Sequence, residues 1–316
     1  MPSHRMVSVV VPVFDERDSL RELADELLPV MQSLGSPFEV IFVDDGSRDG
    51  GDAVLADLAR LHDPVRVVRL RSNFGKGAAL TAGFREARGE VVITIDADLQ
   101  DDPAEIPRLL AALDEGADLV SGWKQKRNDP WNKTMPSRVF NGVARRVSGV
   151  ELHDLNCGFK AYRADVVRAL AIPGEMYRFI PVIAASEGFR VAEVPVNHRA
   201  RRHGRSKYGF ERYLRGLLDL ITISFVGRYR HRPMHFFGGM GLLLFLAGFG
   251  ISLYLTIAKI LGQAIGDRPL LILGVLLIVV GIQLFTIGLV SELIQRGRLR
   301  SEDDEAAARI DRVIEG

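Results

Sequence analysis

The chain lacks the features that would assign it to several simple classes of protein. It has one cysteine, Cys157, in 316 residues, which excludes an intramolecular disulfide and favours a reducing compartment. Its formal net charge is only +1, so the composition gives no indication of nucleic-acid binding. The first apolar stretch is short and ends at Pro12, which predicts a strand and not a signal peptide.

Charge is absent from two long stretches, residues 236–257 and 270–291. Each exceeds the roughly 20 residues that a helix needs to cross the hydrocarbon core of a bilayer. The sequence therefore predicts an integral membrane protein with two transmembrane helices, at about 236–258 and 269–292.

Arginines lie outside both predicted spans, at positions 228, 230, 232, 296, 298 and 300. The positive-inside rule then places the soluble part and both termini in the cytoplasm. Glycines recur every seven residues in both spans, at 241 and 248 and at 274, 281 and 288. Small residues on one stripe predict close helix packing and leave room for a homo-oligomer.

The string G-x-x-x-x-G-K-[ST] is also missing, which excludes a P-loop ATPase. Asp96 and Asp98 directly follow the apolar run at 91–95. Mg²⁺ in proteins is typically held by one or two carboxylates together with substrate phosphates. This pair therefore predicts a metal that binds a diphosphate.

A second acidic pair, Asp101 and Asp102, comes just before Pro103. This spacing is typical of a helix start, with Pro103 at the first helical position. We expect both aspartates to cap the helix and Glu105 to complete a capping box.

Before residue 210 the apolar pattern alternates between strands and helices. Strands are predicted at residues 7–13, 39–43, 65–70, 91–95 and 119–121, with helices between them. This alternation predicts an α/β fold with a mostly parallel sheet covered by helices on both faces. Ligands of such sheets bind beyond the carboxyl ends of the strands, and polar loops follow four of them, two of which contain glycine.

Six strings in this part of the chain carry a family resemblance. They are PVFDE at 12–16, VDDGSRDG at 43–50, NFGKG at 73–77, DADLQ at 96–100, NCGFK at 156–160 and RRHGRSK at 201–207. In this order they resemble the family 2 glycosyltransferases, whose fold is the Rossmann-like GT-A fold. The last two are similar to the branch that acts on polyprenyl phosphates, which includes dolichyl-phosphate mannose synthase and bacterial undecaprenyl-phosphate glucosyl- and aminoarabinosyltransferases.

The resemblance implies a domain organisation. Residues 1–209 would be the GT-A domain and residues 233–295 the two spans. Between them, residues 210–232 mix apolar and charged residues as an amphipathic helix at the membrane interface does. Residues 296–316 would be a polar, helix-prone cytoplasmic tail.

The implied function is inverting transfer of one sugar from a nucleotide diphosphate sugar, of the UDP-glucose or GDP-mannose type, to undecaprenyl or dolichyl phosphate. Mg²⁺ or Mn²⁺, held by Asp96 and Asp98, is the implied cofactor. The lipid bilayer is a further partner. Two alternatives stay open, a processive polysaccharide synthase and a non-catalytic membrane scaffold. The first usually carries a Q-x-x-R-W motif, which this chain lacks.

By match to the family motifs, the donor site would comprise Pro12, Phe14, Glu16, Val43, Asp45, Lys76, Asp96, Ala97, Asp98, Gln100, Lys124, Arg201 and Lys207. Asp45 would accept from the base or ribose, or else form a turn. Lys76 would contact phosphate or be solvated. Lys124 stands where the family often has a phosphate-binding arginine, and Arg127 is the alternative.

The resemblance also implies residues for the acceptor phosphate and for catalysis. The acceptor set is Arg127, Ser137, Arg138, Arg202 and Ser206, and the catalytic set is Asp98, Asp154, Arg201 and Lys207. Asp154 would orient the sugar or the acceptor, or make structural hydrogen bonds. The cationic run that begins at Arg199 would stabilise the departing diphosphate, although a polybasic segment attracted to anionic lipid has the same composition.

Overall fold

The computed structural model describes residues 5–125, 152–154, 157–169, 174–199, 233–262, 269–298 and 310–315. The chain divides into two compact units. The first comprises Met1–Gly227 and Glu302–Gly316, and the second is Arg228–Ser301.

One eight-stranded sheet organises the first unit, in the order β7-β5-β6-β4-β1-β2-β3-β8. The strands are β1 Val7–Val13, β2 Phe38–Asp44, β3 Val65–Leu70, β4 Val91–Thr94, β5 Leu119–Lys124, β6 Lys160–Arg163, β7 Val191–Val196 and β8 Ile310–Glu315. β1 to β4 are parallel to their neighbours in that group, and β5 is parallel to β7. β6 runs antiparallel to β4 and β5, and β8 runs antiparallel to β3.

Helices connect these strands. They are α1 Arg17–Ser33, α2 Gly51–Leu61, α3 Lys76–Glu86, α4 Ile106–Asp114, α5 Ala164–Ala169 and α6 Ile180–Ser186, with 3-10 turns at Pro103–Glu105 and Gly174–Phe179. α1 shows why they form. Its buried Leu20, Leu23 and Leu27 recur every three or four residues and make one apolar stripe that packs on the sheet.

The sheet is buried on both faces, which explains why its central strands are almost wholly apolar. Val9 and Val11 of β1 belong to the core cluster on one face, and Val10 belongs to the cluster on the other. Successive side chains of a strand point to opposite faces. The predicted α/β fold is therefore confirmed, and the loops after β1 to β4 meet at one edge.

Two parts of the sheet differ from the sequence-based expectation. β6 is inserted antiparallel between β4 and β5, so strands that follow each other in the chain are not neighbours there. The tail, expected to be helix-prone, instead forms β8 beside β3. Its isoleucines and valine favour a strand, and β3 would otherwise leave an unpaired edge. The expected interface helix at 210–232 lies outside the described residues.

The second unit consists of two helices, α7 Pro233–Ile260 and α8 Pro269–Arg298. Both contain stretches long and apolar enough to cross a membrane, Met234–Ile260 and Pro269–Ile294. Their glycine stripes face each other. A Cβ added to Gly241 would lie 2.6 Å from the Gly281 carbonyl oxygen, and one added to Gly248 would lie 2.6 Å from that of Gly274. The predicted close packing of these helices is confirmed.

Candidate active site

The loop after β2 is tied to the loop after β3 by one carboxylate. The backbone N–H groups of Phe74 and Gly75 each donate to an oxygen of Asp45, both at 2.8 Å. Gly46 has a φ of +71°, and a Cβ there would lie 2.6 Å from the Ser72 carbonyl carbon. Burial raises the pKa of the Asp45 carboxyl, and the two N–H groups only partly offset this. Asp45 therefore holds the two loops together, and nucleoside binding by it stays a prediction.

The loop after β1 is fastened to the β2 loop in the same way. Asp15, at a φ of +52°, accepts from the Arg48 N–H at 2.8 Å and donates its own N–H to the Ser47 hydroxyl at 3.1 Å. The Ser47 N–H donates to Asp44 at 2.9 Å. Pro12 lies near the end of β1, and Phe14 and Glu16 follow in the loop; all three are partly exposed beside the same edge.

Two members of the predicted donor set have side chains in the core. Val43 is fully buried and packs in the cluster on the α3 side of the sheet. Ala97 is 3% exposed and belongs to the cluster on the opposite face. These two positions therefore offer a ligand their backbone and not their side chains.

The predicted metal pair lies just beyond β4. Asp96 is partly exposed, and its Oδ1 is 2.5 Å from the Lys76 ammonium. Asp98 Oδ1 accepts from the Gln100 N–H at 3.2 Å, in a turn where Leu99 has a φ of +61°. A non-glycine residue in that region is uncommon and often marks a functional turn.

Lys76 begins α3 and is not a solvated helix-start lysine. Its ammonium also lies 5.3 Å from the centre of the Tyr177 ring. Burial alone would lower the pKa of Lys76, but Asp96, Tyr177 and Asp101 together outweigh burial, and the pKa is raised. The lysine is therefore a cation held in place against one of the two predicted metal ligands.

The donor atoms of this edge fit a hard divalent cation. Asp96 and Asp98 supply carboxylate oxygens, and the Lys76 ammonium already lies against the Asp96 carboxylate. In the described part of the chain, no group of three or more His, Cys, Asp or Glu residues forms a complete protein cage for a metal. Two carboxylates are the protein contribution that Mg²⁺ usually receives when a substrate supplies phosphates.

Asp101 is not a helix cap, contrary to expectation. Its buried carboxylate lies 2.9 Å from the Lys124 ammonium and 3.8 Å from His198 Nδ1. Burial alone would raise the pKa of Asp101, but Lys124 and His198 together outweigh burial and lower the pKa. The same pair raises the pKa of Lys124 against the effect of burial. A long-range ion pair has overridden the local capping signal.

Asp102 alone is the cap. It accepts from the Ala104 N–H at 3.1 Å and Pro103 follows it, as predicted. The capping box is wrong, because the Glu105 carboxylate accepts from the Asn197 N–H at 3.3 Å and not from Asp102. Asn197 is the first residue after β7, so Glu105 fastens the segment that leaves β7 to the start of α4.

Asp154 is 1% exposed and lies in a short segment anchored by β7. The backbone N–H groups of His153 and Asp154 donate to the Glu193 carboxylate at 2.8 to 3.0 Å. The His153 ring stacks on Trp123 with 4.1 Å between centroids. Sequence reasoning missed Glu193, and its only signal was a charged residue inside a strand.

Arg199, the first member of the cationic run, has a structural role. Its guanidinium lies 2.5 Å from Glu26 and 2.8 Å from Asp102, and its N–H donates to the Gln100 carbonyl at 2.8 Å. The expectation that it serves phosphate is therefore wrong. The remaining predicted residues lie outside the described part of the chain; they are Arg127, Ser137, Arg138, Arg201, Arg202, Ser206 and Lys207.

Comparison with known proteins assigns this chain to a family. Residues 8–171 match the model of glycosyl transferase family 2, and residues 232–296 match that of the GtrB C-terminal hairpin. A dodecaprenyl-phosphate galacturonate synthase of Rhizobium johnstonii is 41% identical over 94% of this chain and 89% of its own length. An undecaprenyl-phosphate 4-deoxy-4-formamido-L-arabinose transferase of Edwardsiella ictaluri is 37% identical over 92% of this chain and 89% of its own length.

The fold also has relatives among solved structures. A glucosyl-3-phosphoglycerate synthase from Mycobacterium tuberculosis, in complex with Mn²⁺ and UDP-glucose, superposes with a TM-score of 0.56 at 22% identity. The match covers 71% of this chain and 79% of that one, and at this identity it concerns the fold alone. The family model and the two curated relatives agree, and the chain belongs to glycosyl transferase family 2.

Proposed function

We propose that this glycosyltransferase moves one sugar from a nucleotide diphosphate sugar to polyprenyl phosphate at the cytoplasmic face of a membrane. The observation that carries the proposal is the arrangement of Asp96, Asp98 and Lys76 at the carboxyl edge of the sheet. The names of the two curated relatives support the acceptor, since each name contains a polyprenyl phosphate. Two apolar helices support a membrane location.

The reaction needs little acid–base chemistry. A phosphate monoester carries most of its second negative charge near pH 7, so one of its oxygens can attack the anomeric carbon directly. The new bond is from that oxygen to the anomeric carbon. The bond from the same carbon to the donor diphosphate breaks, and the nucleoside diphosphate leaves with the electron pair. Attack opposite the leaving group inverts the configuration.

The protein must bring two anions together and stabilise the one that leaves. A divalent cation on Asp96 and Asp98 would neutralise the diphosphate as negative charge builds on its bridging oxygen. Lys76, which lies against Asp96, would contact the same phosphates. We assign Arg201 and Lys207 to the diphosphate as well, and Arg202, Ser206, Arg127, Ser137 and Arg138 to the acceptor phosphate. Both assignments rest on the family motifs.

The C-terminal strand supports the proposed orientation. β8 belongs to the same sheet as β3, so the chain that enters the two apolar helices must come back to the side where it began. Two crossings meet that requirement, and the arginines that flank them favour the cytoplasm for that side.

We also propose that copies of the chain associate through α8. The glycine stripes pack the two helices of one chain and are not left for contacts between chains. Gln283 lies about 180° around the helix from Gly281 and Gly274, as 3.6 residues per turn requires, and its side chain is exposed. An amide in hydrocarbon gains from a partner amide on a neighbouring helix.

Sugar transfer to undecaprenyl phosphate in detergent tests the proposed function. The two relatives carry different sugars in their names, galacturonate and 4-deoxy-4-formamido-L-arabinose. The donor panel should therefore contain nucleotide-linked forms of both, together with UDP-glucose and GDP-mannose, each with Mg²⁺ or Mn²⁺. We expect one donor to give a lipid-linked product only when the metal is present. Nucleotide binding without product would contradict the proposed acceptor. The absence of both binding and product would favour the non-catalytic scaffold.

A further inference from the structure

A buried lysine next to the site has no role in the chemistry above. Lys160 begins β6, opposite Thr94 of β4 and Ser121 of β5, and is only 3% exposed. Burial lowers the pKa of this lysine. A buried amine is costly unless it makes hydrogen bonds. Its ammonium donates to the carbonyl oxygen of Cys157.

The next carbonyl along the chain is held from the other strand. The Thr94 hydroxyl donates to the Gly158 carbonyl at 2.7 Å. Residues 157–159 lead into β6 and are called the turn before β6. Two successive carbonyls of this turn are thus fixed, one by Lys160 and one by Thr94. Because both side chains belong to central strands, the turn has little freedom to move away from β4.

This turn packs closely against Asp96, a predicted metal ligand. A Cβ built on Gly158 would lie 2.7 Å from each carboxylate oxygen of Asp96. No side chain fits between them unless Asp96 moves. On another side, the Lys76 ammonium is 2.5 Å from Asp96 Oδ1. The carboxylate is therefore confined between the turn backbone and Lys76.

We propose that Lys160 and Gly158 are positioning residues for the divalent cation. Lys160 clamps the turn, and the bare backbone of Gly158 sets the orientation of the Asp96 carboxylate. Both residues would act on the metal only through Asp96. The proposal rests on the proposed function, because it assumes that Asp96 binds metal together with a nucleoside diphosphate.

Lys160→Met keeps an unbranched side chain, one atom shorter, and removes the ammonium, so it tests the clamp. Loss of groups that orient metal ligands typically weakens metal affinity by about 10- to 100-fold. We expect a loss of that size for Mn²⁺, measured by electron paramagnetic resonance on the full chain in detergent with saturating UDP or GDP. Thr94→Val, a milder change of nearly equal volume, should also lower the affinity for Mn²⁺, but by a smaller factor.

Arg66→Met is the matched control for a general loss of stability. Arg66 is a buried cation of the same sheet, 2.9 Å from Glu39 and 3.0 Å from Glu86. It lies near the start of β3, at the edge away from the strand ends that carry the site. Both Lys160→Met and Arg66→Met should lower the melting temperature, and only the former should weaken Mn²⁺.

The outcomes separate this inference from the proposed function. Wild-type Mn²⁺ affinity in folded Lys160→Met or Thr94→Val overturns the positioning role and leaves the proposed function standing. If Lys160→Met does not fold, the Thr94→Val titration decides. If the wild-type chain binds no Mn²⁺ with either nucleotide, the metal role of Asp96 fails and this inference fails with it.

Discussion

Different kinds of interaction stabilise the interior of each of the two units. Among the described residues, every buried polar or charged residue lies in the sheet unit. There they join loops and strands by directed bonds, as Asp45 and the Lys124–Asp101 pair do. The two apolar helices instead meet through backbone atoms at their glycines. Directed polar bonds therefore characterise the sheet unit, and close packing at the glycines characterises the pair of apolar helices.

This difference predicts that substitutions separate into two classes. Changes at the strand ends should affect transfer or metal binding and leave membrane insertion intact. Changes at the glycine contacts should affect the amount of correctly assembled protein and leave nucleotide binding per molecule intact.

The largest effect is expected from Asp98→Ala. It removes one of the two carboxylates that are proposed to hold the cation, so we expect transfer to fall on the order of 10³-fold or more. Membrane insertion, measured by alkaline extraction of membranes, should be unchanged because Asp98 lies at the edge of the sheet and not in its core. Substantial residual transfer would contradict the metal role.

Asp101→Ala should destabilise the sheet unit by about 3–5 kcal/mol, because it leaves the Lys124 ammonium buried without its partner. Thermal unfolding of the detergent-solubilised chain measures this. Asp102→Ala, which removes a helix cap and a partly exposed ion pair with Arg199, is the control and should cost about 1–2 kcal/mol. Equal effects of the two substitutions would mean that the buried ion pair contributes little.

The same pair predicts a dependence of stability on pH. The pKa of Asp101 is lowered in the folded protein by Lys124, although burial opposes the shift. Its contribution is therefore fully present above the ordinary aspartate pKa of about 4 and is lost as the pH falls below it. Wild-type protein should lose stability between about pH 4 and pH 2 more steeply than Asp101→Asn. Parallel pH curves would exclude Asp101 as the cause.

In the other unit, Gly281→Val should force the two helices apart. Its Cβ would lie 2.7 Å from the Gly241 carbonyl oxygen and from the Phe245 nitrogen. We expect a cost of about 1–3 kcal/mol, read as a smaller yield of monodisperse protein in detergent. Gly250→Val is the matched control, since no atom lies within 4 Å of a Cβ there. Nucleotide affinity per molecule should be unchanged in both.

The smallest effect is expected from Gln283→Leu, which should weaken self-association by about 1 kcal/mol. Single-molecule photobleaching in lipid nanodiscs or liposomes measures the shift toward single copies. Leu289→Ile, another exposed position of α8, should leave the distribution unchanged. Wild-type protein that is already single, or a Gln283→Leu distribution equal to the wild type, would overturn the proposed contact.

Much of the sheet and the position of the predicted metal pair could be read from the sequence because the signals are local. The apolar run before Asp96 and the spacing of Asp96 and Asp98 lie within one strand and its loop. The parallel strands then bring the loop of Lys76 to the same edge. The glycine stripes were readable because seven residues are nearly two turns of a helix.

What could not be read depends on partners far apart in the chain. Asp101 carries a good local capping signal, and only the fold reveals that Lys124 reaches it. Gly158 meets Asp96 because β6 is inserted antiparallel beside β4, an order that no local pattern encodes. Arg199 belongs by sequence to a cationic run, and only the fold reveals that Glu26 and Asp102 pair with it.

The most direct test of the central claim is the mass of the lipid product, together with the nucleotide that is released. Wild-type protein should convert undecaprenyl phosphate into a species heavier by one sugar residue that still contains one phosphorus atom, with release of a nucleoside diphosphate. A product with two phosphorus atoms and release of a nucleoside monophosphate would contradict the account, because a phosphosugar and not a sugar would have been transferred. A ladder of repeating sugar masses would contradict it in favour of a processive synthase.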